Sequence, residues 1–104
     1  MDFSEFRASL ADPGPPSELT QSPRADLLTA LWLDAKGDFD GAHAIAQDVK
    51  GTEGARVHAY LHRKEGDGSN ARYWYGQART TEVKGTLEAE WKSLVLRYLE
   101  ELEE

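Results

Sequence analysis

The chain contains no cysteine, one methionine and one isoleucine, and its four valines bring the β-branched aliphatics to only five in 104 residues. Without cysteine there is no disulfide scaffold, no thiol nucleophile, no thiolate zinc site and no iron–sulfur cluster. So little Val and Ile leaves scant material for strands. Positive charge is also in deficit: 12 Lys and Arg face 19 Asp and Glu, a formal charge of −7. Nucleic-acid binding is driven by cations displacing counterions from a polyanion, so an acidic body argues against nucleic acid as a partner. Long apolar runs are missing, which excludes a membrane span. The opening Met1-Asp2-Phe3-Ser4-Glu5 is acidic where a secretion signal would be basic and then apolar, so the expected location is the cytoplasm.

Leu, Ile, Val and Phe together supply 20 of 104 residues, near the fraction at which a charged chain stays disordered. Two features oppose disorder. Three Trp and four Tyr each carry about 150–250 Å² of buriable surface, and 13 alanines favour helix and let helices approach closely. The expectation is an all-α protein.

Phe3, Phe6 and Leu10 recur at helical spacing, predicting a short N-terminal helix or docking arm over 2–10. Residues 11–21 hold three of the four prolines and read as a tether, giving an N-terminal arm and tether over 1–21, with the arm expected to be mobile, and a single helical domain over 22–104. Ser22-Pro23 has the form of an N-cap followed by a first helical residue. The helix it opens, running to about Lys36, carries Leu27, Leu28, Leu31, Trp32 and Ala35 on its apolar face. Gly37 then suits a left-handed stop and Asp38 a new cap. A second helix over 38–50 presents Phe39, Ala42, Ala46 and Val49. Gly51-Thr52 repeats the stop and cap, opening a third helix to about Glu65 with Val57, Tyr60 and Leu61 inward. A fourth over 69–78 shows Ala71, Trp74, Tyr75 and Ala78 on one side, and 79–85 is a loop. Thr86 caps a final helix whose stripe Leu87, Trp91, Leu94, Val95, Tyr98 and Leu102 is long enough to lie across both preceding hairpins. That stripe serves either to cap its own chain or to form a homodimer through residues 87–102, with Leu96 and Leu99 on its flanks. The acidic run Glu100–Glu104 sits at the negative pole of the helix and predicts fraying.

Offset by 29 residues, Gly37-Asp38-x-x-x-Ala42 repeats as Gly66-Asp67-x-x-x-Ala71. The segments KGDFDGAHAIAQ and EGDGSNARYWYGQA resemble the helix–turn–helix units of tetratricopeptide-type repeats, with a shorter period and only two units. The resemblance implies two stacked helical hairpins, completed by the C-terminal helix as a cap, and a protein-interaction role. VHAYLHRKEGDGSNARYWY also looks like a block found in a family of short bacterial proteins, a resemblance that implies no particular activity.

His58 and His62 stand four apart on one helical face, the spacing of a metal-ligating pair, and His43 on the preceding helix could approach them. Asp48 or Glu65 could add oxygen. Ala59 occupies the place where a metalloprotease helix needs Glu. The competing reading has these histidines bordering the core with no metal. Tyr73, in Tyr73-Trp74-Tyr75, cannot share a face with both neighbours. Either the final helix covers it through Trp91 or Tyr98, the expected use of a bulky ring in a small domain, or it is exposed as a contact residue. Between 55 and 79, Arg56, Arg63, Lys64, Arg72 and Arg79 outnumber Glu65 and Asp67. They either pair with the chain's own carboxylates or recognise an acidic ligand.

No phosphate loop, nucleophile elbow or other enzyme motif occurs, and no cofactor is implied. The sequence points first to a non-catalytic interaction module whose face comprises Arg56, His58, His62, Arg63, Asn70, Arg72 and Tyr73, with another protein or an acidic ligand as partner. The alternative is a metal-binding protein or small metal-dependent enzyme using His43, His58 and His62.

Overall fold

The computed structural model describes residues 1–20 and 23–103, with side chains over 1–19 and 24–100. The Ser22 cap and the acidic side chains of 101–104 lie outside the described residues. Helices α1 (Phe3–Ala8), α2 (Pro23–Ala35), α3 (Phe39–Asp48), α4 (Thr52–Lys64), α5 (Gly68–Gln77) and α6 (Leu87–Glu103) follow in order, with 3-10 turns at Ser9–Ala11 and Ser17–Thr20. No strand occurs among the described residues, as the shortage of β-branched side chains requires.

The two Gly-Asp corners form as expected and are near copies. Gly37 (φ 89°) and Gly66 (φ 88°) take the left-handed conformation. The following amides, of Asp38 and Asp67, each reach back five residues, to the carbonyls of Leu33 and His62, at 2.9 Å. Each Asp then caps the next helix, Asp38 accepting from the Gly41 amide at 2.9 Å and Asp67 from the Asn70 amide at 3.2 Å. The middle corner differs from expectation. Thr52 is not the cap; Gly51 occupies that position at φ 94°, ψ −175°, and supplies no side chain to the α4 amides. Gly54, one turn on, lies so close to the end of α3 that a Cβ there would sit 1.9 Å from the Val49 carbonyl oxygen.

Hairpins α2–α3 and α4–α5 pack through α3 and α4, and α6 lies across α2 and α4. Helix α2 is enclosed on most sides, burying Ala25, Leu27, Leu28, Ala30, Leu31 and Trp32. Its apolar face is rotated from the expected one at the end, where Asp34 is buried and Ala35 exposed. The stripe on α6 is spent on its own chain: Trp91, Leu94, Val95, Tyr98 and Leu99 are buried, and Trp91 Nε1 donates to the Leu31 carbonyl at 3.0 Å. Among the described large apolar side chains of α6, Leu96 alone remains substantially exposed, and the side chain of Leu102, the last residue of the predicted stripe, lies outside the described residues.

The N-terminal arm packs onto the helices. Phe6 and Leu19 are fully buried, Phe3 and Phe6 pack on the Trp91 ring, and Trp32 Nε1 donates to Ser9 Oγ at 3.0 Å. The α1 helix is held by a capping box between Asp2 and Glu5, and the proline-rich stretch simply routes the chain to the buried Leu19.

Three buried carboxylates tie the helices together, each receiving a tyrosine hydroxyl and a cation. Asp34 accepts from Tyr60 Oη and Lys64 Nζ, both at 2.8 Å. Glu90 accepts from Tyr75 Oη at 2.6 Å and Arg63 at 2.8 Å. Glu53 takes the Arg97 guanidinium through two bonds, at 2.7 and 3.1 Å, and Tyr98 Oη at 3.0 Å. Such burial is tolerable only because each charge is paired and further hydrogen-bonded.

Candidate metal centre

Helices joined by a tight corner face each other residue for residue about that corner. His43 stands seven residues before Lys50, and His58 seven after Gly51, so the α3–α4 turn brings them together. His58 and Trp74 stand eight residues either side of Gly66 and meet in the same way. The packing follows this symmetry. His43 and His58 approach through their Nε2 atoms at 3.0 Å, and the His58 ring lies flat on Trp74 with centroids 4.1 Å apart. His62, one turn beyond His58, stacks on it at 4.8 Å and meets the His43 ring edge-on at 5.5 Å. Phe39 covers the other side of His43 at 5.9 Å.

One ring nitrogen from each of the three histidines lies within 4.8 Å of the others. Two imidazole nitrogens on a tetrahedral zinc ion stand about 3.3 Å apart, given bonds of about 2.0 Å. The His43–His58 pair is already near that spacing, and rotation of His62 brings in the third. His62 Nδ1 is 2.6 Å from Glu65 Oε1, so it donates there and leaves Nε2 with its lone pair free. A carboxylate behind a ligating histidine fixes the ring and raises its basicity. Burial, and then the neighbouring His43 and His62, pushes the His58 imidazole down to about 4, against an opposing pull from Glu65. At neutral pH His58 is therefore uncharged, the form that binds metal.

Other sequence candidates are placed elsewhere. Glu65 joins His62 and Asp67 in a second, more exposed group, but Asp48 belongs to neither cluster. Arg56 and Arg63 do not share the histidine face. Arg63 serves Glu90 and the Gly85 carbonyl, and Arg56 lies 3.4 Å from Glu53. Asn70 is turned onto Asp67, its Nδ2 2.6 Å from Oδ2. Tyr73, expected under α6, is 57% exposed, because Trp91 and Tyr98 are already committed to α2 and α4. It touches Trp74 edge-on beside the exposed Arg72.

Sequence reasoning missed Trp74 as the wall behind His58, although reflection about Gly66 would have found it. Compared with protein-family models, curated proteins and solved structures, the chain matches none, and the site stands on its own geometry. No helix among the described residues is long and apolar enough to cross a membrane.

Proposed function

We propose that this protein binds a divalent transition-metal ion, zinc by ligand type, through His43, His58 and His62. The observation that carries the reading is the convergence of three imidazoles from two helices, with Glu65 seated behind one of them. Neutral imidazole suits zinc and its neighbours in the first transition row, and three protein ligands leave a fourth position for water or a bound molecule. The test is zinc titration of metal-free protein prepared without a histidine tag. One equivalent binds; His58→Ala removes binding, and Glu65→Gln weakens it by about 10–100-fold. Binding of less than about a tenth of an equivalent would overturn the reading.

A second reading, the non-catalytic interaction module of repeat type, is favoured by one observation: the solvent-facing ring of Tyr73, a residue type enriched where proteins meet. Its support is narrower, since Arg56 and Arg63 are used within the chain. Capture of the same proteins from a lysate by wild type and by the Arg72→Ala/Tyr73→Ala variant would count against it.

A further inference from the structure

From His58 a groove of about 450 Å³ runs along α4 toward Gly51, walled by the ends of α3 and α5. No carboxylate lines it, in a chain with 19 of them. Two cations do: Lys50, just past the end of α3, and Arg79, just past the end of α5. Both are exposed, and neither side chain has a hydrogen-bonding or ionic partner among the described residues. Between them lies the first turn of α4, which carries no side-chain cap.

Arg79 is the more telling of the two. It holds φ 58°, the sole non-glycine with a positive φ among the described residues. Its own amide bonds to Gly76 and that of Thr80 reaches back to Tyr75, the same closure that Gly37 and Gly66 make at their corners. Two corners use glycine there and the third carries a long cationic side chain, despite the strain a Cβ brings to this conformation. Local folding does not call for arginine at this position.

We propose that this groove is an anion site, with Lys50 and Arg79 receiving the phosphate or carboxylate group of a small organic ligand. From Gly51 to His58 the helix rises about 10 Å, so the rest of such a ligand would extend toward the histidines. That orientation rests on the metal reading; the anion contact does not. Arginine supplies a planar fork matched to two oxyanion oxygens and lysine a compact charge, the usual division of labour around phosphate and carboxylate.

The experiment is calorimetric titration of the metal-free protein with inorganic phosphate and, separately, with acetate, at constant ionic strength. Whichever anion binds more tightly identifies the group. Saturable binding within about 10 mM is expected, weakened about tenfold or more by Arg79→Gly and by Lys50→Gln, and unchanged by Lys84→Gln in the neighbouring loop. Glycine suits a positive φ, so Arg79→Gly protein melts no lower than wild type, and its lost affinity is not lost fold. Absence of saturation with both anions, or equal binding by wild type and Arg79→Gly, overturns the proposal. Failure of zinc binding in the separate titration would leave these results intact and overturn the metal reading alone.

Discussion

Replacing Gly54 by alanine tests the link between the α3–α4 corner and the histidines. By helix propensity alone the change stabilises, because alanine in a helix is favoured over glycine by about 1 kcal/mol. The structure reverses the sign. The new Cβ would lie 1.9 Å from the Val49 carbonyl oxygen and 2.8 Å from its carbon, where ordinary contact begins at 3.4 Å. The obstacle is backbone, which no rotamer change removes, so the corner must open by more than about 1 Å. Overpacking of this kind costs about 1–3 kcal/mol. With some of that offset by propensity, a net loss of about 1–2 kcal/mol lowers Tm by about 5–15 °C in a domain of this size. Opening the corner also draws His43 away from His58, and zinc affinity falls by about tenfold or more. Gly76→Ala is the control: nothing lies within 4 Å of its Cβ position, and it stabilises by up to about 1 kcal/mol. Thermal or urea unfolding of both variants decides the matter. If Gly54→Ala melts at or above wild type, the close approach of α3 and α4 is not as described.

Other perturbations separate the buried ties from the surface. Glu53→Gln leaves Arg97 and Arg56 without their anion and costs about 3–5 kcal/mol by urea unfolding, whereas Glu88→Gln, whose 3.8 Å pairing with Arg7 is solvent-exposed, costs about 0–1 kcal/mol; similar losses would deny that Glu53 is specially held. Burial raises the Glu53 carboxyl, but hydrogen bonds from Arg97 and Tyr98 and the charges of Arg97 and Arg56 outweigh it and hold it below the usual range. Its contribution is complete above the unfolded pKa of 4.5 and lost as pH falls through the lower folded value. His58 works in the same direction: the unfolded imidazole takes up a proton near 6.5 while the folded one resists until about 4. Stability of the metal-free protein therefore declines from pH 6.5 downward; a flat profile between pH 6.5 and 4.5 would refute the His58 assignment, and no further loss below pH 4.5 would refute that of Glu53. Phe6→Ala empties a fully buried site beside Trp91 and costs about 3–5 kcal/mol, whereas a detached arm would make it nearly silent.

Much of this architecture is written locally. Glycine at a helix end followed by aspartate has one economical conformation, and two such pairs placed four helix boundaries in the chain. The histidine seam was legible as well, because residues equidistant from a tight corner must meet. What could not be read locally was which way long polar side chains turn. Asp34, Glu53 and Glu90 resemble surface carboxylates until their tyrosine and cation partners arrive from other helices. Arg56 and Arg63 follow those carboxylates away from the histidine face. Tyr73 remains outside while Trp91 and Tyr98, the rings expected to cover it, are engaged with α2 and α4, a choice of partners that no single segment encodes. The arm was legible through the spacing of Phe3 and Phe6, but the stretch after it was not, because proline marks where helix stops and does not tell whether Leu19 beyond it finds a cavity to fill.

Each of the three carboxylate ties has at least one member on α4, and between them they reach α2, α5 and α6. Chains assembled from repeated hairpins ordinarily melt from the ends, one unit at a time. Here neither hairpin can detach without stripping a buried charge of its counterpart, so the molecule gives up that modularity and should unfold in a single step. It also cannot be lengthened by duplicating a hairpin, since the added unit would inherit an acid or a base with no match waiting for it.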